Sequence, residues 1–189
     1  MDRVEKCREK FHTLFGGEPV NNEGTDPEFM RILQRFIFGE VCYTGSLDDR
    51  MRELITITVL AVNQTLPQLK AHVGACLNIG ISPVEIREVI YQCAPFIGFP
   101  KTLNAIAAMN ETFTANGIAL PLESQETITE ETRHPAGLAI QAPPTATRSG
   151  TAIPGCPALS KTRCRIFSPI SDSGTSAPVP VWARRSGNC

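Results

Sequence analysis

The fold of this chain is decided by residues 47–106, which read LDDRMRELITITVLAVNQTLPQLKAHVGACLNIGISPVEIREVIYQCAPFIGFPKTLNAI. Within 47–63 the apolar residues recur at helical spacing, which predicts an α-helix. The β-branched run 55–59 would also suit a strand, but the polar start and the length of the segment favour the helix. The apolar positions are Leu47, Met51, Leu54, Ile55, Val59 and Val62.

Two helix-start signals divide the rest of this stretch. Thr65 is followed three residues later by Gln68, and Ser82 is followed by Glu85, so each pair has the spacing of a capping box. Gly80 ends the first helix, and the proline after Ser82 suits the first turn of the second. The helices predicted here are 66–79, 83 to about 93, and about 100–115.

Outward from this stretch, the N-terminal part predicts two more helices, over 1–15 and about 27–38, the second beginning at Asp26-Pro27. No segment of this body predicts a strand, so we expect an all-α fold, an antiparallel bundle of helices. We assign 1–122 to this helical domain, 123–143 to a linker and 144–189 to a tail.

The tail has a different composition from the body. From about residue 136 helical periodicity is lost, and prolines are scattered among Ser, Thr, Gly and Arg, a composition typical of disorder. When 148–181 is back-translated and read in another register, a permitted decoding is similar to 26–47 of the same chain. We therefore interpret the tail as an out-of-frame remnant of a second repeat, which resequencing of the locus can test.

Charge and cysteine content exclude several classes of protein. The formal net charge of −1 combines +5 in residues 144–189 with −6 in the rest, and an acidic body argues against a nucleic-acid partner. No apolar run reaches the length of a membrane span, and MDRVEKCREK lacks the apolar stretch of a signal peptide, so we expect a cytoplasmic protein. The seven cysteines form no CxxC pair and no zinc spacing, so we expect no metal. Cys76 and Cys93 lie among apolar residues, which predicts buried free thiols.

Several elements of 47–106 resemble the carboxymuconolactone decarboxylase family. They are RELITI, QLKAH, N-x-G followed by S-P-x-E-I-R-E-V, and Y-x6-G-F-P-x-x-L-N, in this order. The resemblance extends over roughly residues 25–117. It implies an all-helical fold and a homo-oligomer, either a trimer or a hexamer.

The same superfamily contains the alkylhydroperoxidase-D-like disulfide reductases, whose site combines a glutamate, a CxxC and a histidine. That spacing corresponds here to Glu53, to Thr65 and Gln68 in place of the two cysteines, and to His72. Because a disulfide cycle needs an attacking and a resolving thiol, a thiol-dependent peroxidase is disfavoured. Cys76, one turn after His72, could serve only as a lone thiol.

A decarboxylase, unlike a disulfide reductase, does not need a pair of thiols. Loss of CO2 from a carboxylated lactone leaves a carbanion delocalised toward the lactone carbonyl, and no cofactor is needed if the site stabilises and protonates it. The resemblance implies His72 as the general acid, oriented by Glu53. Arg52, Lys70 or Arg50 could bind the substrate carboxylates.

Each of these assignments has a structural alternative. His72 could be a core histidine bonded to a carbonyl group, and Glu53 a surface partner of an arginine. Gln68 and Tyr91 are further candidates for substrate binding, and Asn104 could line the same pocket, but Tyr91 and Asn104 could also satisfy buried polar groups.

Two functions from different classes follow from the sequence. The first is a cofactor-free lyase that acts on a small carboxylated lactone in the breakdown of aromatic acids. The second is a non-catalytic oligomeric helical module, the remnant of a two-repeat protein. Assays of decarboxylation and of thiol-dependent peroxide reduction distinguish them.

Overall fold

The structure is a computed structural model and describes residues 1–19 and 24–146. The chain divides into two compact units, Met1–Leu122 and a second that begins at Glu123, and each is described by itself. Every regular element in the described ranges is a helix, so the predicted all-α class is confirmed. The predicted tail from residue 147 onward lies outside the described residues.

In its described residues the first unit contains seven α-helices and one short 3-10 turn, Val41–Tyr43. The ends of the six helices that the sequence predicted agree with the predicted ends to within about two residues. The helices are α1 (Arg3–Phe15), α2 (Pro27–Gly39), α3 (Asp49–Asn63), α4 (Leu66–Asn78), α5 (Pro83–Gln92), α6 (Ala94–Ile97) and α7 (Phe99–Ala115).

Helix α4 is the central helix, because it packs against α3, α7 and α1. Leu69, Val73 and Cys76 follow one another at helical spacing and are fully buried in the main hydrophobic core. Ala75 belongs to a second cluster, in which α4 meets Leu14 of α1 and other side chains of α1 and α2. Helix α4 therefore separates two apolar clusters.

Helix α3 buries a face that the apolar pattern alone does not show. Glu53, Ile57 and Ala61 lie at successive i, i+4 positions and are all buried. On the other side of the same helix, Ile55 and Val59 are exposed in the single chain. A carboxylate thus occupies a position of the inner face, while the β-branched Ile55 and Val59 point away from the core.

The two predicted capping boxes have different outcomes. The Ser82–Glu85 box is confirmed, because Ser82 Oγ accepts from the Glu85 amide and the Glu85 carboxylate accepts from the Ser82 amide. The Thr65–Gln68 box is wrong: Thr65 begins α4 without a side-chain cap, and its hydroxyl donates to the Leu60 carbonyl at 3.3 Å. The Thr65 hydroxyl is therefore hydrogen-bonded to the end of α3, and it does not cap α4 as the sequence spacing predicted.

Two helices were not predicted. The short α6 lies between the predicted helices that end at about 93 and begin at about 100. Pro95 is in its first turn, where the backbone N–H would have no intrahelical acceptor, so a proline is tolerated. In the second unit, α8 (Glu130–Ala146) occupies much of the predicted linker. Thr129 opens α8, since its hydroxyl accepts from the Thr132 amide, and this local cap compensates for weak apolar periodicity.

Candidate active site

The connection between α3 and α4 positions the two central residues of the site. It consists of Gln64 and Thr65 alone, so the two helices are adjacent in space. Gln64 has a left-handed backbone with φ of 59°, and its side-chain amide donates to the carbonyls of Ala61 and Lys101. These hydrogen bonds fix the turn and so the register of α3 against α4.

In this register Glu53 and His72 are in direct contact. His72 Nδ1 lies 2.7 Å from Glu53 Oε2. Because a carboxylate accepts hydrogen bonds, this contact places a hydrogen on Nδ1. Nε2 makes no hydrogen bond within the described part of the chain, and a side chain that is 19% exposed leaves it accessible.

Helix α1 covers the dyad with aromatic side chains. The Phe15 ring meets the His72 ring edge-on, with centroids 5.5 Å apart. Phe15 also contacts Phe11 and Phe38, so one aromatic cluster continues from the imidazole into the second apolar cluster. His72, Ala75 and Ile79 share the side of α4 that this cluster covers.

The thiols beside the dyad are poor nucleophiles. Burial, reinforced by the Glu53 charge, raises the pKa of the Cys76 thiol to about 12. Burial also raises the pKa of Cys42, although Lys10 and Arg52 nearby oppose this. A thiol with such a pKa is protonated at neutral pH, and this agrees with the absence of a CxxC pair.

The predicted cations occupy different sides of the bundle. The Lys70 ammonium pairs with Glu111 of α7, whereas His72, two residues further along α4, faces α1, so the structure does not bring Lys70 to the dyad. Arg50 pairs with Glu85. Arg52 donates to the carbonyls of Leu47, at 3.1 Å, and of Thr44, and it directly precedes Glu53.

The other predicted residues lie apart from the dyad. Gln68 is exposed in the first turn of α4, and the Tyr91 ring lies beside the guanidinium of Arg87 on α5. Asn104 of α7 donates to the Gln64 side chain at 3.0 Å and so contacts the turn between α3 and α4. None of these contacts reaches Glu53 or His72.

The sequence analysis did not predict the ion pair between Asp49 of α3 and Lys10 of α1. Lys10 of α1 donates to both carboxylate oxygens of Asp49, at 2.7 and 2.5 Å, and only 14% of its side chain is exposed. Asp49 lies one turn before Glu53 on α3. The available signal was the i, i+4 spacing of the two acids, but nothing in the sequence assigns Lys10 to either one.

Two clefts follow α1, one toward Gln34 and Arg35 of α2 and one past His12, and neither includes Glu53 or His72. Among the described residues, no cluster of three or more His, Cys, Asp or Glu side chains could hold a metal ion. In that same part of the chain, no helix has the length and apolar content to cross a bilayer.

Comparison with known proteins defines the class. Residues 27–111 match the carboxymuconolactone decarboxylase family. The chain is 34% identical over 117 residues to 4-carboxymuconolactone decarboxylase of Acinetobacter baylyi, across 62% of this chain and 85% of that protein. It is 25% identical over 81 residues to nitrosuccinic acid decarboxylase of Metarhizium robertsii, across 43% and 57% of the two chains. The chain therefore belongs to the carboxymuconolactone decarboxylase family.

Proposed function

We propose that this protein is a cofactor-free, cytoplasmic decarboxylase that acts on a carboxymuconolactone-like acid in aromatic-acid breakdown. Both relatives are decarboxylases by name, and both names describe acids with two carboxyl groups. The observation that carries the proposal is the 2.7 Å contact between Glu53 and His72 Nδ1, with Nε2 left without a partner in the described residues.

The proposed chemistry is a carbon–carbon cleavage followed by protonation. The bond to the leaving carboxylate breaks, CO2 departs, and the electron pair delocalises toward the lactone carbonyl. His72 then donates its Nε2 proton to the carbanion carbon and recovers a proton from solvent. Glu53, buried in α3, stabilises the imidazolium before this transfer and fixes the direction of Nε2.

Arg52 is the proposed partner of a substrate carboxylate. Its guanidinium donates to two neutral carbonyl groups, which orient it, and within the described residues it forms no ion pair with a carboxylate. A guanidinium has five N–H donors, so some remain for a carboxylate. Its place beside Glu53 on α3 supports this role.

The direct test is CO2 release from 4-carboxymuconolactone by the purified protein. Replacement of His72 by Ala is expected to lower kcat at least about a hundredfold, as for loss of a general acid. His12→Ala is the matched control, because His12 is exposed on α1 and has no proposed role. Full activity of His72→Ala would remove this residue from the mechanism.

We also propose a homo-oligomer, a trimer or a hexamer. Phe29, Ile32 and Phe36 follow helical spacing on α2 and are 62%, 64% and 53% exposed in the single chain. Large apolar side chains in one stripe favour association with a second surface. The stripe on α3 formed by Ile55 and Val59 adds to this apolar area.

A further inference from the structure

Helix α3 presents two acids on one face, and each is paired with a cation from another helix. Asp49 and Glu53 are four residues apart and therefore lie one above the other. Asp49 accepts from Lys10 of α1, and Glu53 accepts from His72 of α4. The two pairs stand side by side, about 6 Å apart along the α3 axis.

Cys42 lies in the neighbourhood of both pairs. Burial raises the pKa of its thiol, Asp49 and Glu53 add to this effect, and Lys10 and Arg52 oppose it. Cys42 also packs against the aromatic cluster that covers His72. Lys10 is thus a near neighbour of the proposed site, although it precedes the residues that match the family.

The charged groups around Cys42 have a net positive charge that one bound anion would neutralise. Asp49 and Glu53 carry two negative charges, whereas Lys10, Arg52 and a protonated His72 carry three positive ones. One substrate carboxylate makes this group neutral. The second carboxylate is the one lost as CO2, and it must not be held by a cation, because ground-state stabilisation would slow its departure.

We propose that Lys10, together with Arg52, binds the carboxylate that the substrate retains, and that Lys10 thereby selects dicarboxylates. This inference rests on the proposed decarboxylase function. Lys10 is proposed as a substrate-binding residue: Asp49 accepts two hydrogen bonds from its ammonium and orients it, and the third N–H is assigned to the substrate. The leaving carboxylate then faces the apolar side of the site, where Phe15 covers His72.

Lysine-to-methionine variants test this assignment. Lys10→Met is expected to raise KM for 4-carboxymuconolactone about tenfold to a hundredfold, with kcat within about threefold of the wild type. Lys10→Arg, which keeps the charge, should restore KM. Lys6→Met is the matched control, because Lys6 flanks the same Tyr43 ring, at 5.1 Å against 5.2 Å for Lys10, without pairing to Asp49.

A binding measurement separates this inference from the activity itself. NMR titrations with succinate and with butyrate compare a diacid and a monoacid of equal length, and neither needs turnover. The wild type and Lys6→Met should prefer succinate, and folded Lys10→Met should lose that preference. No preference in the wild type, or an unchanged preference in Lys10→Met, would overturn the role of Lys10. Absence of CO2 release alone would instead count against the decarboxylase.

Discussion

The Glu53 carboxylate is buried, and it forms a hydrogen bond with the His72 imidazole. A buried carboxylate is costly unless a partner compensates its charge. The same contact serves both residues, because it compensates the carboxylate and directs the imidazole. A change at Glu53 is therefore expected to affect both the stability of the site and the proposed chemistry of His72.

Replacement of Glu53 by Gln tests this coupling. The amide keeps the size of the side chain but cannot stabilise an imidazolium by charge, so kcat is expected to fall at least about tenfold. Steady-state decarboxylation kinetics measure the effect. Glu88→Gln, which alters a carboxylate paired with Arg87 on α5, should leave kcat unchanged. An unaltered kcat in Glu53→Gln contradicts the proposed role.

Cys76 provides a test that distinguishes the proposed decarboxylation from thiol-dependent peroxide reduction. Its thiol is fully buried with a pKa of about 12, so almost none of it is thiolate at neutral pH. Cys76→Ala is expected to keep kcat for decarboxylation within about threefold. The wild type is expected to show no dithiothreitol-dependent peroxide reduction. Peroxide reduction that disappears in Cys76→Ala would reverse this conclusion.

At the scale of the helices, α1 and α2 meet at a glycine. A Cβ atom added to Gly39 would lie 2.5 Å from the carbonyl oxygen of Arg3. This neighbour is backbone, so the clash can be relieved only if α1 and α2 move apart. Because α1 carries Lys10 and Phe15, the glycine fixes the distance at which α1 covers the dyad.

Gly39→Ala is expected to reduce the free energy of unfolding by about 1–3 kcal/mol, the usual cost of overpacking. Urea unfolding followed by circular dichroism measures the change. Gly74→Ala is the control, because a Cβ there meets nothing within 4 Å in helix α4, and alanine should stabilise the helix by up to about 1 kcal/mol. Equal stability of Gly39→Ala and the wild type would contradict the close packing.

At the scale of the whole molecule, the apolar stripe on α2 is the surface through which we propose that the protein associates. Phe36→Lys is expected to shift the protein toward the monomer, because a charge in a buried interface loses its hydration. Light scattering with size-exclusion chromatography measures the mass. Glu28→Lys places the same side chain at an exposed position of α2 and should leave the mass unchanged. A monodisperse wild-type monomer would refute the oligomer.

Helix positions were predictable because their signals are local. Apolar periodicity, prolines near helix starts and the Ser82–Glu85 box act within a few residues, so the sequence contains them directly. The Thr65–Gln68 box failed because the Leu60 carbonyl, in the preceding helix, competes for the Thr65 hydroxyl. Which face of α3 is buried was not predictable from the apolar pattern. Hydrophobicity alone would bury Ile55 and expose Glu53, but in the structure Ile55 is exposed and Glu53 is buried.

By itself the sequence determined the all-α class, the bounds of the helices of the first unit other than α6 and, through its resemblance to a family, the candidate pair Glu53 and His72. Only the tertiary structure decided which charges meet: Arg50 and Lys70 pair with Glu85 and Glu111, while Lys10 joins α3 beside the dyad. The reason is that backbone hydrogen bonds and periodicity act along the chain. The partner of a long charged side chain depends instead on how helices distant in sequence pack.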